Sequence, residues 1–223
     1  MENLAALQQK TGHTFNDQSL LVRALTHSST ASDESYERLE FLGDRVLGLV
    51  VAEILFTKFP NEPEGDLARR LSALVQGTWL AKMGALIDLG AYMNFSDSER
   101  AAGGGQNDNI IADGMEALIG AMYLDAGLAQ CRTFIETLWG DNFETMTRPP
   151  QHPKTEIQEW AQAQGLPLPQ YEITGQSGPD HAPVFSLTLH VHGYSPINAE
   201  GKSRGAAEKA AAKIFLKQIQ QQD

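Results

Sequence analysis

Cysteine is almost absent from this sequence. Its 223 residues hold one, Cys131. That excludes an internal disulfide and a cysteine-based metal cluster, and it points to a reducing, cytoplasmic setting. Long hydrophobic runs are missing as well. The longest apolar stretches, Val46–Ala52 and Ala117–Leu124, fall short of the roughly 18–20 residues that a membrane span requires, so no membrane partner is expected. The opening MENLAALQQK has no basic start leading into a continuous apolar core, and no secretory signal is expected. Basic charge is scarce: 17 Lys and Arg stand against 28 Asp and Glu, for a net charge of −11. Taken alone, that balance argues against a nucleic-acid partner, whose usual sign is a basic domain. No Ser-His-Asp or Cys-His set presents itself for covalent catalysis.

What is present is ordinary globular material, 42% apolar and 20% charged. The length allows one to two domains. The average charge hides an asymmetry. Residues 1–148 hold 11 basic and 21 acidic residues, and residues 149–223 hold 6 and 7. Within 202–217 five basic residues (Lys202, Arg204, Lys209, Lys213, Lys217) face one acid, Glu208. Between the two parts, TMTRPPQHPK places Pro149, Pro150 and Pro153 close together. Prolines remove backbone donors and extend the residues before them, so residues 147–153 read as a linker. The division is then 1–146, the linker, and 154–222.

Before the linker, apolar residues recur at helical spacing in 4–9, 18–25, 36–58, 66–83, 109–125 and 128–145. This part reads as all-α. After it, 155–164 reads as a helix. Tyr171–Thr174, Val184–His192 and Ser195–Ala199 read as strands, and Ser203–Ile219 as an amphipathic helix capped by Ser203. The expected fold is therefore an all-α domain followed by a small α+β domain of order α-β-β-β-α. The inner face of the last helix is assigned to Ala207, Ala210, Ala211, Ile214 and Phe215.

The most informative segment is YERLEFLGDRVLGLVVAEILF, Tyr36–Phe56. On a helix, Glu37, Glu40 and Asp44 share a narrow arc, with Leu39, Leu42, Val46, Leu49 and Val50 opposite. Three stacked like charges repel one another, and Gly43 and Gly48 add up to about 1 kcal/mol each of helix cost. A divalent cation held by hard oxygen ligands would offset this. NIIADGMEALIGAMYL, Asn109–Leu124, repeats the pattern: Asp113 and Glu116 are its only acids and lie one turn apart. Two such helices packed together would make one carboxylate pocket. The alternative is that both acid sets are simply solvated helix faces.

ERLEFLGD, the upstream LVRALTHSS, FPNEPEGDLARRLSALV and IIADGMEALIGAMYLDAG resemble bacterial ribonuclease III. HPKTEIQEWAQAQGLPLPQYEITGQSGPDHAPVF and GKSRGAAEKAAAKIFL resemble that family's double-stranded-RNA-binding domain. The resemblance spans essentially the whole chain. It implies an endoribonuclease that hydrolyses phosphodiester bonds in double-stranded RNA. The implied cofactor is Mg²⁺, with Mn²⁺ able to substitute, and no small-molecule cofactor is implied. The implied metal ligands are Glu40, Asp44, Asp113 and Glu116, with Asp44 and Glu116 the catalytic pair. Glu37 and Glu64 match two supporting acids. The family works as a homodimer, which implies staggered cuts leaving 5′-phosphate and 3′-hydroxyl ends with a short 3′ overhang. The apolar helix around Glu40 is consistent with a dimer or with the centre of a monomeric core. The implied work is maturation of ribosomal and other structured RNA precursors.

In the second domain the resemblance places RNA contacts at Thr155, Gln158 and Glu159 on the first helix, at Pro179 and His181 in the GPDH loop, and at Ser203, Arg204 and Lys209 on the last helix. Such a module reads duplex RNA by shape. Two departures stand out. The family has consecutive basic residues after Gly-x-Ser, whereas Gly205 follows Arg204 here. The loop Ala101–Asn109, AAGGGQNDN, carries none of the basic residues often found there. His27 reads as a core histidine within a helix. Arg69 and Arg70 read either as phosphate-facing or as a solvated face. The rivals are a duplex-RNA-binding protein with a silent nuclease domain, and a metal hydrolase of small phosphoesters.

Overall fold

Helical periodicity before the prolines is realised in the computed structural model as a run of helices: α1 (Leu4–Thr11), α2 (Gln18–Ala24), α3 (Glu37–Lys58), α4 (Glu64–Val75), α5 (Gly77–Leu86), α6 (Leu89–Tyr92), α7 (Asp97–Ala101), α8 (Asp108–Ala126), α9 (Leu128–Trp139) and α10 (Asn142–Thr145). The structure describes residues 4–30, 32, 34–146, 149–150, 152–179 and 182–220. The chain separates into two units, Met1–Pro150 and Gln151–Asp223.

Two expected helices are each divided. The segment 66–83 breaks at Gln76, whose ψ of 148° takes it out of helical geometry between α4 and α5. The segment 128–145 breaks at Gly140, whose φ of +50° ends α9. Proline-independent breaks of this kind leave little trace in apolar spacing.

The core of the first unit is built on α3 and α8. Leu47, Val50, Val51, Ile54 and Leu55 of α3 meet Met115, Leu118, Ile119 and Met122 of α8, all buried. The two backbones touch. A Cβ at Gly43 would overlap the carbonyl oxygen of Glu116, and one at Gly120 would overlap that of Leu39. Close packing of helices, with no ligand needed, is what offsets the glycine cost at position 43. Gly48 has open space around it. Leu49, expected on the buried face, is 58% exposed, as are Phe41 (69%) and Phe56 (73%). α3 is apolar nearly all round, yet among the described residues nothing covers the face that carries Phe41, Leu49 and Phe56.

His13 and Asp125 tie the start of the unit to the end of α8. The Asp125 carboxylate accepts from His13 Nε2 at 2.8 Å and from the backbone N–H groups of Asp17 at 2.8 Å and Asn16 at 3.0 Å. Cys131 is buried, its thiol pushed up to about 11 by desolvation.

In the second unit α11 (Pro153–Ala163) precedes β1 (Gln170–Ser177), β2 (Val184–His190) and β3 (Ile197–Gly201), and α12 (Arg204–Gln220) closes it. The sheet is antiparallel in the order β1-β2-β3, with Tyr171 opposite Leu189 and Leu187 opposite Ala199. Leu187 and Leu189 point to the helices and pack with Ile157, Ala207, Ala211 and Phe215. Ser186 and Thr188, alternating with them, form hydrogen bonds to Glu200 and Asn198 on the other face. The third strand begins at Ile197, later than Ser195. On α12 the buried face is turned from the one expected. Ala212 and Leu216 are buried, whereas Ile214 is 40% exposed and Ala210 is only partly covered.

Candidate active site

The backbone contact at Gly43 and Gly120 determines where the acids go. Glu40 and Asp44 flank Gly43 on α3, and Glu116 contributes the carbonyl that Gly43 touches. With one helical turn between Asp113 and Glu116, Glu116 lies within electrostatic reach of both α3 acids, and Asp113 within reach of Glu40. Their mutual fields register this. The carboxyl of Glu116 is pushed up to about 8, first by desolvation, then by the charges of Asp44, Glu40 and Asp113, with Arg45 opposing. Glu40 is raised by desolvation and by Asp113, Glu37 and Asp44. Asp113 is raised by desolvation, against the pull of Tyr36 and His27. Glu40 and Glu116 are thus disfavoured from ionising by burial and by the acids around them, which makes the cluster a strongly negative site.

The surrounding residues sort by contact. Glu37 is exposed, takes a hydrogen bond from Ser35 Oγ at 3.0 Å, and adds its charge to Glu40. Asp44 is paired with the exposed Arg45. Tyr36, buried at the head of α3, has its hydroxyl turned to Asp113; burial first, and then the charges of Asp113, Glu40 and Glu37, hold that hydroxyl in its protonated form. Tyr36 went unremarked in the sequence, although it directly precedes the acidic motif. His27 lies in the turn after α2 and not within a helix. Its Nδ1 accepts from the Ser29 N–H at 3.0 Å, and its ring packs against Tyr36 and Phe95. Glu64 is exposed in the first turn of α4 and is not among the charges that shift Glu40, Asp113 or Glu116. The structure therefore brings Glu37, Glu40, Asp44, Asp113 and Glu116 together and leaves Glu64 apart.

Among the described residues, no three His, Cys, Asp or Glu side chains stand in a metal-holding arrangement. The donor chemistry nonetheless fits a hard divalent cation: the cluster offers carboxylate oxygens, and Arg45 is a cation near enough to Glu116 to favour its charged form.

Arg70 overturns both sequence readings. It is 1% exposed, faces neither phosphate nor solvent, and is bound to Glu62 and to the Met146 carbonyl. Arg69 pairs with Asp66.

In the second unit Thr155 and Glu159 are exposed along α11, with Gln158 partly covered between them. Ser203 Oγ accepts from the Ala206 N–H at 3.2 Å, the capping role expected of it. Arg204 Nε donates to Glu208 at 3.0 Å, and Lys154 pairs with the same carboxylate, which draws Glu208 below its ordinary range despite burial. Lys209 and Pro179 are exposed. His181 lies outside the described residues. The bridge through Glu208 joins the starts of α11 and α12, and nothing in the sequence pattern announced it.

Comparison with known proteins adds the following. Residues 17–141 match the family model described as ribonuclease-III-like, and residues 153–219 match the double-stranded RNA binding motif. The chain is 44% identical over 218 residues to "Ribonuclease 3" of Ehrlichia ruminantium (strain Gardel), covering 96% of each chain. It is 46% identical over 215 residues to "Ribonuclease 3" of Caulobacter vibrioides, covering 94% of this chain and 93% of that one. Among solved structures, the nuclease domain of ribonuclease III from Campylobacter jejuni superposes with a TM-score of 0.62 at 42% identity. It covers 64% of this chain and 99% of that one, and that structure is described for flexibility in a region involved in dimer formation. Among the described residues no helix is long and apolar enough to cross a membrane.

Proposed function

The chain belongs to the ribonuclease III family, and from that premise we propose that it is a Mg²⁺-dependent endoribonuclease whose ligands are Glu40, Asp44, Asp113 and Glu116. It is a double-stranded-RNA-binding endoribonuclease with a helical nuclease domain and one α-β-β-β-α binding domain. The observation that carries the finer reading is the crossing of α3 and α8 at two glycines, which packs four carboxyls into one pocket.

A bound Mg²⁺ supplies Lewis acidity, lowering the pKa of water toward neutrality and balancing charge on the phosphate and the departing 3′ oxygen. The chain's own groups do the rest. Asp44 and Glu116, facing each other across the two helices, set the position of the scissile phosphate. Glu116, whose carboxyl is pushed up to about 8, would have to give up its proton to ligate a cation. Tyr36 braces Asp113 from behind. The same cluster repels phosphate until a cation is held, so duplex RNA and metal favour each other's entry.

Homodimer formation is supported by the uncovered face of α3. Phe41, Leu49 and Phe56 are exposed along it, and Gly48 lies in open space where a second helix can approach closely. Two copies would give paired cuts, 5′-phosphate and 3′-hydroxyl ends and a short 3′ overhang. In the second unit Thr155, Gln158, Glu159, Pro179, His181, Ser203, Arg204 and Lys209 are the proposed duplex contacts, with the open N-terminus of α12 favouring phosphate. Maturation of ribosomal and other structured RNA precursors in the cytoplasm is the role this activity fits.

Cleavage of an end-labelled RNA duplex in Mg²⁺ or EDTA, with wild type beside Glu116→Gln, tests the reading. Short products with 3′ overhangs from wild type in Mg²⁺ alone sustain it. A duplex that is bound but intact would leave a silent binding protein. Turnover of a small phosphodiester would favour a general phosphoesterase.

A further inference from the structure

Arg70 is the one buried Lys or Arg among the described residues. A buried guanidinium must have its N–H groups satisfied, and the partners it uses reveal what it holds. Nε and Nη2 donate to the two carboxylate oxygens of Glu62 at 2.8 and 2.6 Å, a bidentate pair. Nη1 donates to the backbone carbonyl of Met146. The guanidinium plane lies over the Phe59 ring at 3.8 Å from its centroid. One side chain thus joins the C-cap of α3, the turn before α4, α4 itself and the end of the first unit.

That turn carries Glu64. Glu62 and Pro63 lead directly into it, and Pro63, extended at ψ 158°, leaves the turn few other conformations. Glu64 is exposed and takes no part in the carboxylate cluster, and among the described residues no side-chain hydrogen bond aims it. Its direction is set by its backbone, and its backbone is set by the Glu62–Arg70 clamp.

We propose that Arg70 is a positioning residue for the nuclease reaction, clamping the Glu62–Pro63–Glu64 turn so that Glu64 is presented to the duplex. This rests on reading Glu64 as an acid that engages substrate. Lysine does not substitute, because an ammonium cannot bond both Glu62 oxygens in the plane of a fork while donating to Met146 and stacking on Phe59. Methionine fills the same space without the bonds, which separates filling the site from aiming the turn.

The test is steady-state cleavage of an RNA duplex in Mg²⁺ by the full chain, well below the melting temperature of each variant. The variants are Arg70→Met, Arg70→Lys, Glu62→Gln, Glu64→Gln and Arg70→Met/Glu64→Gln. Arg70→Met raises KM about threefold to tenfold with kcat within about twofold, Arg70→Lys does not restore KM, and the double variant is no worse than Glu64→Gln alone. If Arg70→Met fails to fold, Glu62→Gln opens the clamp from its exposed side and should raise KM in the same way. A wild-type KM for Arg70→Met or Arg70→Lys, with KM raised in Glu64→Gln, overturns the role of Arg70 alone. Wild-type kinetics for Glu64→Gln overturn the reading of Glu64 and the proposal with it. Additive losses in the double variant show that the two act independently and overturn the proposal.

Discussion

Glu116→Gln should make the metal-free protein more stable above neutral pH. Glu116 titrates at about 8 in the folded chain against an ordinary value of 4.5. The folded state therefore binds the proton more tightly than the unfolded state does. Below about pH 4.5 the carboxyl is protonated in both states and contributes nothing. Between about 4.5 and 8 the unfolded chain releases its proton while the folded chain keeps it, and stability falls as pH rises. Above about 8 the cost levels off. At about 1.4 kcal/mol per pH unit the ceiling is about 5 kcal/mol. Water reaches this half-open pocket, and Glu40 and Asp113 share the proton with Glu116, so about 2 kcal/mol is the working figure. Glutamine removes the charge at nearly constant volume. Thermal unfolding in EDTA should then show Glu116→Gln melting about 4–8 °C above wild type at pH 8.5, with the two coincident at pH 4.5. Mg²⁺ should raise the wild-type melting temperature and barely move that of the variant. If Glu116→Gln is no more stable than wild type at pH 8.5 without metal, or if Mg²⁺ stabilises both equally, the argument from carboxylate repulsion is wrong.

Gly120→Ala should destabilise the nuclease unit by about 1–3 kcal/mol, because the new methyl overlaps the Leu39 carbonyl. Gly48→Ala, in open space, should stabilise the monomer by up to about 1 kcal/mol; denaturant unfolding compares them. Asp125→Asn should cost about 1–3 kcal/mol near pH 7. Backbone N–H groups and His13 hold the Asp125 carboxyl below its ordinary 3.8, so the wild-type advantage exists above that value and is lost as pH falls through the lower folded one, as acid titration of stability will show. Gly205→Lys, placed where nothing crowds the start of α12, should tighten duplex RNA binding and steepen its salt dependence by about one unit. An unchanged slope would mean that this position does not meet phosphate.

The acid pattern was legible because helical geometry is local. Glu37, Glu40 and Asp44 share a face of α3 whatever α3 packs against, and the same holds for Asp113 and Glu116 on α8. The α-β-β-β-α element order of the second unit was equally readable from its turns and strand-forming residues. The same local logic misplaced Leu49 and Ile214. Apolar character identifies residues that can be buried, but a helix greasy on every side does not say which side its own chain covers. Arg70 was misread for the complementary reason. An Arg-Arg pair on an amphipathic helix resembles a solvated face until Glu62, Phe59 and the Met146 carbonyl are brought around it, and Met146 is 76 residues away in sequence.

What the amino-acid order determined by itself is the inventory: an all-α acidic part, a proline-rich junction, an α-β-β-β-α part with a basic end, and two helices each carrying acids on one stripe. These follow from periodicity, backbone restriction and charge, which act over a few residues. Only the tertiary structure decided that the two acid stripes become one pocket. That outcome depends on Gly43 and Gly120 meeting the backbone of the opposite helix, a contact between positions far apart in the chain whose benefit appears only when both are folded. The raised affinity of Glu116 for its proton, the clamp at Arg70 and the bridge through Glu208 share that origin. Each is an electrostatic balance among groups that meet only once the apolar core has closed around them.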